Sequence, residues 1–246
     1  MRTRRTLAYG PAPDQVGDLW LPVGPGPHRV VVLLHGGFWH RSWERDLMDG
    51  LADDLAGRGL AAWNLEYRRV GTGGGWPATG EDVAAGIDHL AGLAADTHLG
   101  LESVVLLGHS AGGQLALWAA ARPDAAVRAT LVVGLAALSD LSLARAEGVG
   151  GRSVERLLAG AHDPEAALGD ASPVERLPIG VRQLLVHCAD DPLVPVEHSR
   201  RYVAAACAAG DDAELLEVPS GGHFALIDPA SAPWAAVSVR LEASAF

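Results

Sequence analysis

A chain of 246 residues with 49% hydrophobic content has length and apolar surface enough for one large α/β domain. Its two cysteines supply neither a disulfide framework nor a sulfur-rich zinc site. The net charge of −11 repels phosphate-rich partners, which argues against nucleic acid and anionic membrane surfaces.

The opening residues are charged but lack the apolar stretch of a signal peptide, and no run reaches the length of a membrane span. A reducing, cytoplasmic location is therefore expected. Asp18 to Leu21 reads as an edge strand, and the Pro/Gly-rich 22–27 stretch as a turn. Arg29 to Leu34 is continuously apolar after its first residue, as a strand buried on both faces should be. Helical spacing runs from Arg41 to Gly57, then Leu60 to Leu65 reads as a strand. A glycine-rich loop (71–75) precedes a helix over about Thr79–Ala95. Ser103 to Leu107 is the next strand, followed by a helix that ends near Arg122-Pro123. Ala129 to Leu135 is a further strand.

Residues 141–180 break this alternation with short helical segments and read as a small cap insertion over the sheet's carboxyl edge. The rhythm resumes with a strand at Arg182–His187, a helix over about Val196–Ala209 and a strand at Ala213–Val218. A last helix is expected from about Asp228-Pro229, where Asp caps and Pro takes the first turn. The whole reads as one α/β unit spanning 1–246: a doubly wound, mostly parallel sheet with helices on both faces. Chemistry in such sheets sits in the loops at the strands' carboxyl ends.

Three of those loops carry the chemistry. In Gly108-His109-Ser110-Ala111-Gly112-Gly113 a serine is wedged between a buried strand and a helix. Such a turn lifts the hydroxyl above the sheet and aims the Ala111 N–H toward it. A serine hydroxyl needs a base, and His223 in Pro219-Ser-Gly-Gly-His-Phe224, after the final strand, is the candidate. The base needs an acid that fixes its tautomer. Asp191, ahead of the rigid Pro192-Leu-Val-Pro195 turn, is preferred, with Asp190 and then Asp140 as alternatives. The chain order Ser110, Asp191, His223 is that of the α/β-hydrolases. Negative charge developing on a carbonyl oxygen needs preorganised donors, and His35-Gly-Gly-Phe-Trp39 offers the N–H groups of Gly37 and Phe38 beside that of Ala111. Trp39 reads as an apolar wall of the acyl site, with core packing as the competing reading. His109 is expected to point away from the elbow and His35 to bond within its loop. Glu66 to Arg69 should form an Arg–carboxylate tie between loops. No metal or organic cofactor is indicated.

With these residues, the chain resembles the α/β-hydrolase superfamily over nearly its whole length. His35-Gly-Gly-Phe-Trp39 is similar to the H-G-G-x-W motif of the esterase and arylformamidase (kynurenine formamidase-like) branch, as are Glu66-Tyr-Arg68 and Ala171-Ser-Pro173. The resemblance implies Ser110, Asp191 and His223 as a catalytic triad and the loop at Gly36, Gly37 and Phe38 as the oxyanion loop. The expected activity is cleavage of small carboxylic esters or aryl formamides through an acyl-enzyme. The stretch Leu184–Phe224 is also similar to prolyl-oligopeptidase relatives, so a stand-alone peptidase of short peptides is the enzymatic alternative. A non-catalytic binding protein on the same fold is the alternative outside enzymes.

Overall fold

A computed structural model describes residues 2–243. Among these residues eight strands form one sheet: β1 (Thr3–Ala8), β2 (Val16–Leu21), β3 (His28–Leu34), β4 (Ala61–Leu65), β5 (Leu99–His109), β6 (Leu131–Leu135), β7 (Arg182–Cys188) and β8 (Ala213–Val218). Their order across the sheet is β1-β2-β4-β3-β5-β6-β7-β8. The β1–β2 and β2–β4 pairs are antiparallel and the rest parallel.

Side chains alternate across a strand, and here the alternation divides two cores. Val30, Val32 and Leu34 of β3 face one core, with Val104 and Leu106 of β5. Val31 and Leu33 face the other, with Val105 and Leu107. The first core is closed by α2 (Ala78–Asp88), α4 (Ala111–Ala120) and α8 (Glu197–Ala208) through Val83, Ile87, Leu115 and Tyr202. The second is closed by α1 (Asp49–Gly57) and α9 (Ala232–Ala243) through Leu51, Leu55, Trp234 and Val237. Helices on both faces satisfy a sheet buried on both sides. Residues 141–180 fold as α5 (Leu141–Ala146), α6 (Ser153–Leu158), α7 (Pro164–Ala171) and a short 3-10 turn (Pro173–Arg176). These helices add Leu141, Val154, Leu157 and Leu168 to the first core.

Several expected boundaries move. The Asp18–Leu21 strand is internal, because β1 covers it as the true edge. β1 is exposed along most of its length and is held by ladder bonds and by Arg4 on Asp18, so it has no hydrophobic alternation to betray it. The expected 41–57 helix begins only at Asp49, after a 3-10 turn at Arg45–Met48. The helix expected over 79–95 breaks at His89 into α2 and α3 (Leu90–Thr97). The last helix starts at Ala232, where the Ser231 hydroxyl accepts the Trp234 N–H at 3.0 Å. Asp228 instead accepts from Ala230 in the preceding turn.

Candidate active site

The parallel register aligns Leu34 with Gly108, His109 with Leu135, Leu135 with Val186 and Cys188 with Val218. The loops after β3, β5, β7 and β8 therefore open on one edge of the sheet. Ser110 stands between β5 and α4 at φ 55°, ψ −117°, a region that costs a non-glycine residue about 1–3 kcal/mol. The turn is over-determined. Ser110 N–H donates to Leu135 O at 2.8 Å, and Ser110 O accepts from Gly113 and Gln114. A Cβ at Gly108 would sit 2.0 Å from Gly112 O, and one at Gly112 would sit 2.1 Å from Leu34 O. Only glycine fits at either position, which is the physical content of the flanking glycines. Ala111 opens α4, where first-turn N–H groups have no helical acceptor.

His223 Nδ1–H donates to Asp191 Oδ2 at 2.6 Å. The other carboxylate oxygen accepts from Leu193 N at 2.8 Å and Val194 N at 3.0 Å. Burial pushes the Asp191 carboxyl up. Hydrogen bonds from His187, His223 and Val194 outweigh it and hold the group far below the usual carboxylate range. Asp190 faces elsewhere: it accepts from Gly222 N at 2.8 Å and Gly221 N at 3.2 Å, tying down the loop that presents His223. Asp140 caps α5 through Leu143 N, which accounts for the third candidate acid.

Gly37, Phe38 and Trp39 all have positive φ, at 104°, 52° and 56°. Three consecutive left-handed residues coil the backbone after β3, and His40 N–H closes the coil on Gly37 O. Glu66 braces this loop from beneath. It accepts from His35 Nε2 at 2.9 Å, Tyr67 N at 3.0 Å and Arg45 N at 2.9 Å. Arg69, also buried, lies 3.4 Å from Glu66 and 3.0 Å from Asp14, and donates to Trp43 O at 2.6 Å. The expected loop tie is thus an Arg–carboxylate pair enlarged into a network. His35 bonds Gly36 O within its own loop as well as Glu66.

A pocket of about 60 Å³ lies beside Ser110 and His223, lined also by Gly37, Phe38, Trp43, Leu47, His109, Leu193 and Phe224. Trp39 is not among them. It is fully buried in the first core, and its Nε1 donates to Gln114 Oε1 at 2.9 Å. The expectation of a pocket wall at Trp39 is therefore corrected: left-handed φ at both Phe38 and Trp39 turns the indole inward. Trp43 takes the wall instead, its ring lying over Gly37, where any Cβ would fall 2.3 Å from it. The Phe38 ring packs against Gly150 between α5 and α6.

Leu193 and Phe224 each follow a polar candidate by one or two residues, and that adjacency is the signal which could have flagged them. Trp43, Leu193 and Phe224 are three of the five large apolar side chains left exposed among the described residues, so exposed apolar surface concentrates at this mouth. The His109 ring does not point away either. It packs 4.5 Å from the His223 ring and its Nε2–H donates to His223 O at 3.1 Å. Burial and the neighbouring His223 push its imidazole down to about 3, so it sits neutral beside His223. Cys188 is buried, and burial with the two adjacent aspartates pushes its thiol up to about 11. Among the described residues no helix is long and apolar enough to cross a membrane.

Comparison with known proteins matches residues 18–205 to the BD-FAE family model. A monoacylglycerol lipase of Mycolicibacterium smegmatis is 29% identical over 252 residues, covering 87% of each chain. Esterase B of Lactobacillus rhamnosis superposes with a TM-score of 0.85 at 19% identity, over 98% of this chain and 84% of that one. A bifunctional GH43-CE protein of Bacteroides eggerthii gives 0.81 at 21% identity over 99% of this chain, which spans only 35% of that longer one. The sheet order, the strained serine elbow and a family match over most of the length agree: the chain belongs to the BD-FAE family, among the esterases of the α/β-hydrolase fold.

Proposed function

We propose that the protein is a serine hydrolase of small carboxylic esters that works through an acyl-enzyme on Ser110. The observation that carries this reading is the 2.6 Å bond from His223 Nδ1 to Asp191, at a pocket shared with the strained Ser110. Ser110 Oγ attacks the ester carbonyl carbon while His223 Nε2 takes its proton. The tetrahedral oxyanion is received by the Ala111 N–H and by the N–H groups of Gly37 and Phe38. Collapse expels the alcohol, which takes the proton from His223. A water then gives a proton to His223 and attacks the acyl carbon, and Ser110 leaves with that proton as the carboxylic acid departs. Asp191 holds the imidazole tautomer throughout and balances the imidazolium.

The pocket's dimensions support a short acyl group. Its small volume, about 60 Å³, favours formyl, acetyl and butyryl groups over long fatty chains. Trp43 and Phe224 lie 6.1 Å apart with rings 24° from parallel, which favours an aryl leaving group beside the mouth. Residues 141–180 act as a short cap of the one catalytic unit, its Gly150 backing the Phe38 ring. Aryl formamides share the smallest acyl group and the same chemistry. The test is a screen of aryl acetate, butyrate and long-chain esters, an N-formyl aryl amide and a peptide anilide, with wild type and Ser110→Ala. Fast turnover of acetate and butyrate, abolished in Ser110→Ala, is expected. Efficient long-chain hydrolysis with poor acetate turnover would overturn the small-acyl assignment, and a formamide preferred over acetate would move the substrate to the amide class.

A further inference from the structure

A second histidine stands behind the acid. His187, fully buried near the end of β7, precedes Asp191 by four residues. Its Nε2 is 2.9 Å from Val194 O and 3.4 Å from Asp191 Oδ2. Its Nδ1 is 2.8 Å from the hydroxyl of Ser199 on α8, a side chain that is also fully buried. A carbonyl only accepts, so Nε2 carries a proton. The Nδ1 lone pair of the neutral ring then accepts the Ser199 O–H. A serine on a neighbouring helix thereby selects the tautomer of a buried imidazole, and the single N–H of that ring lies between the Val194 carbonyl and the acid's carboxylate.

We propose that His187, oriented by Ser199, is a positioning residue that aims the Asp191 carboxylate at His223. The proposal rests on the reading of Asp191 as the acid. Val194 is held from both sides, its N–H on Asp191 Oδ1 and its carbonyl on His187. The turn that carries the carboxylate is thus clamped to β7 and α8. At Oδ2 the carboxylate charge is shared unequally between His223 at 2.6 Å and His187 at 3.4 Å. Without the His187 donor the turn loses its clamp, Val194 O is left buried without a partner, and the carboxylate is no longer held toward His223. An imidazolium at His223 is then less well balanced, so protonation of the base moves to lower pH. The other titratable groups facing this chain are His109 against the His223 ring, Asp190 on the acid loop, Cys188, and Glu217 paired with His187 in the β7–β8 register. None of them is altered by the variants below.

The experiment compares wild type with Ser199→Ala, His187→Gln and His187→Met, using a short aryl ester from about pH 5 to 9. Ser199→Ala should lower kcat about tenfold and His187→Met up to about a hundredfold, the scale of a misaligned catalytic group, with KM little changed. In both, the acid limb of kcat/KM should move to lower pH, and the far-downfield proton resonance of the His223–Asp191 bond should shift. His187→Gln, whose amide nitrogen reaches the same carbonyl, should recover most of the loss. Should His187→Met not fold, Ser199→Ala and His187→Gln decide the matter. Wild-type kcat in Ser199→Ala, or a loss of kcat with pH profile and resonance unmoved, would overturn the proposal. Asp191→Asn separates the two levels: if it keeps full activity, the triad reading itself fails, whereas if it is crippled while Ser199→Ala behaves as wild type, only the role of His187 fails.

Discussion

Trp39→Phe tests whether the tryptophan of the loop after β3 is core or pocket. The indole is fully buried and its N–H satisfies Gln114 Oε1, whose own amide donates to Ala171 O. Removing the N–H leaves a buried carbonyl oxygen without a donor, which costs about 1–3 kcal/mol. The lost part of the ring adds about 1 kcal/mol of unfilled volume. The expected destabilisation is about 2–4 kcal/mol, a large share of the 5–15 kcal/mol typical of a whole domain. At about 2–4 °C per kcal/mol for a chain of this size, Tm should drop by roughly 5–15 °C. Urea and thermal unfolding measure the loss. Adding Gln114→Met removes the orphaned oxygen, so the double variant should lose less than the sum of the singles. KM for a short aryl ester should stay near wild type. Stability within about 0.5 kcal/mol of wild type, together with an altered preference for acyl length, would refute the core assignment.

Trp43→Ala and Phe224→Ala should each raise KM for aryl esters about three- to tenfold, the worth of one aromatic contact, and leave unfolding midpoints nearly unchanged. Asp191→Asn should cost about 10⁴-fold in kcat, as loss of the tautomer-fixing acid does elsewhere. Asp190→Ala, which frees the Gly221–Gly222 turn, should cost about tenfold; a reversed ranking in kinetic assays would exchange their roles. Because burial and His223 push His109 down to about 3, the unfolded chain takes up this proton below about pH 6.5 and the folded protein does not until near pH 3. Stability should therefore fall as pH drops through that window, by about 2 kcal/mol between pH 7 and 5. His109→Gln should flatten that slope in urea titrations, and equal slopes in the two proteins would contradict the assignment.

What the sequence disclosed is what short-range stereochemistry dictates. Continuous apolar strands such as Val30–Leu34 and the glycines around Ser110 leave little choice of structure, because one hydrophobic period and one crowded turn admit few solutions. Asp191 was separable from Asp190 by the rigid turn that follows it. β1 carries no such signal, because its stability comes from ladder bonds and the Arg4–Asp18 contact, which impose no periodic pattern. Trp39 could not be assigned to wall or core because the left-handed backbone at Phe38 and Trp39 sets the side-chain direction, and Trp43, four residues on, carries no motif that marks it as the wall. The placement of the two histidines around the proposed triad, His109 and His187, is equally out of a local pattern's reach. Their partners lie 114 and 12 residues away, and only the assembled sheet brings them together.

The most direct test of the central claim is covalent labelling by a fluorophosphonate followed by peptide mapping. A serine attacked by such a probe must be both exposed to it and activated by a base. The wild type should carry one adduct, on Ser110, formed in step with loss of ester hydrolysis, and His223→Ala should label far more slowly. An adduct on a residue other than Ser110, or full hydrolytic activity in Ser110→Ala, would contradict the account.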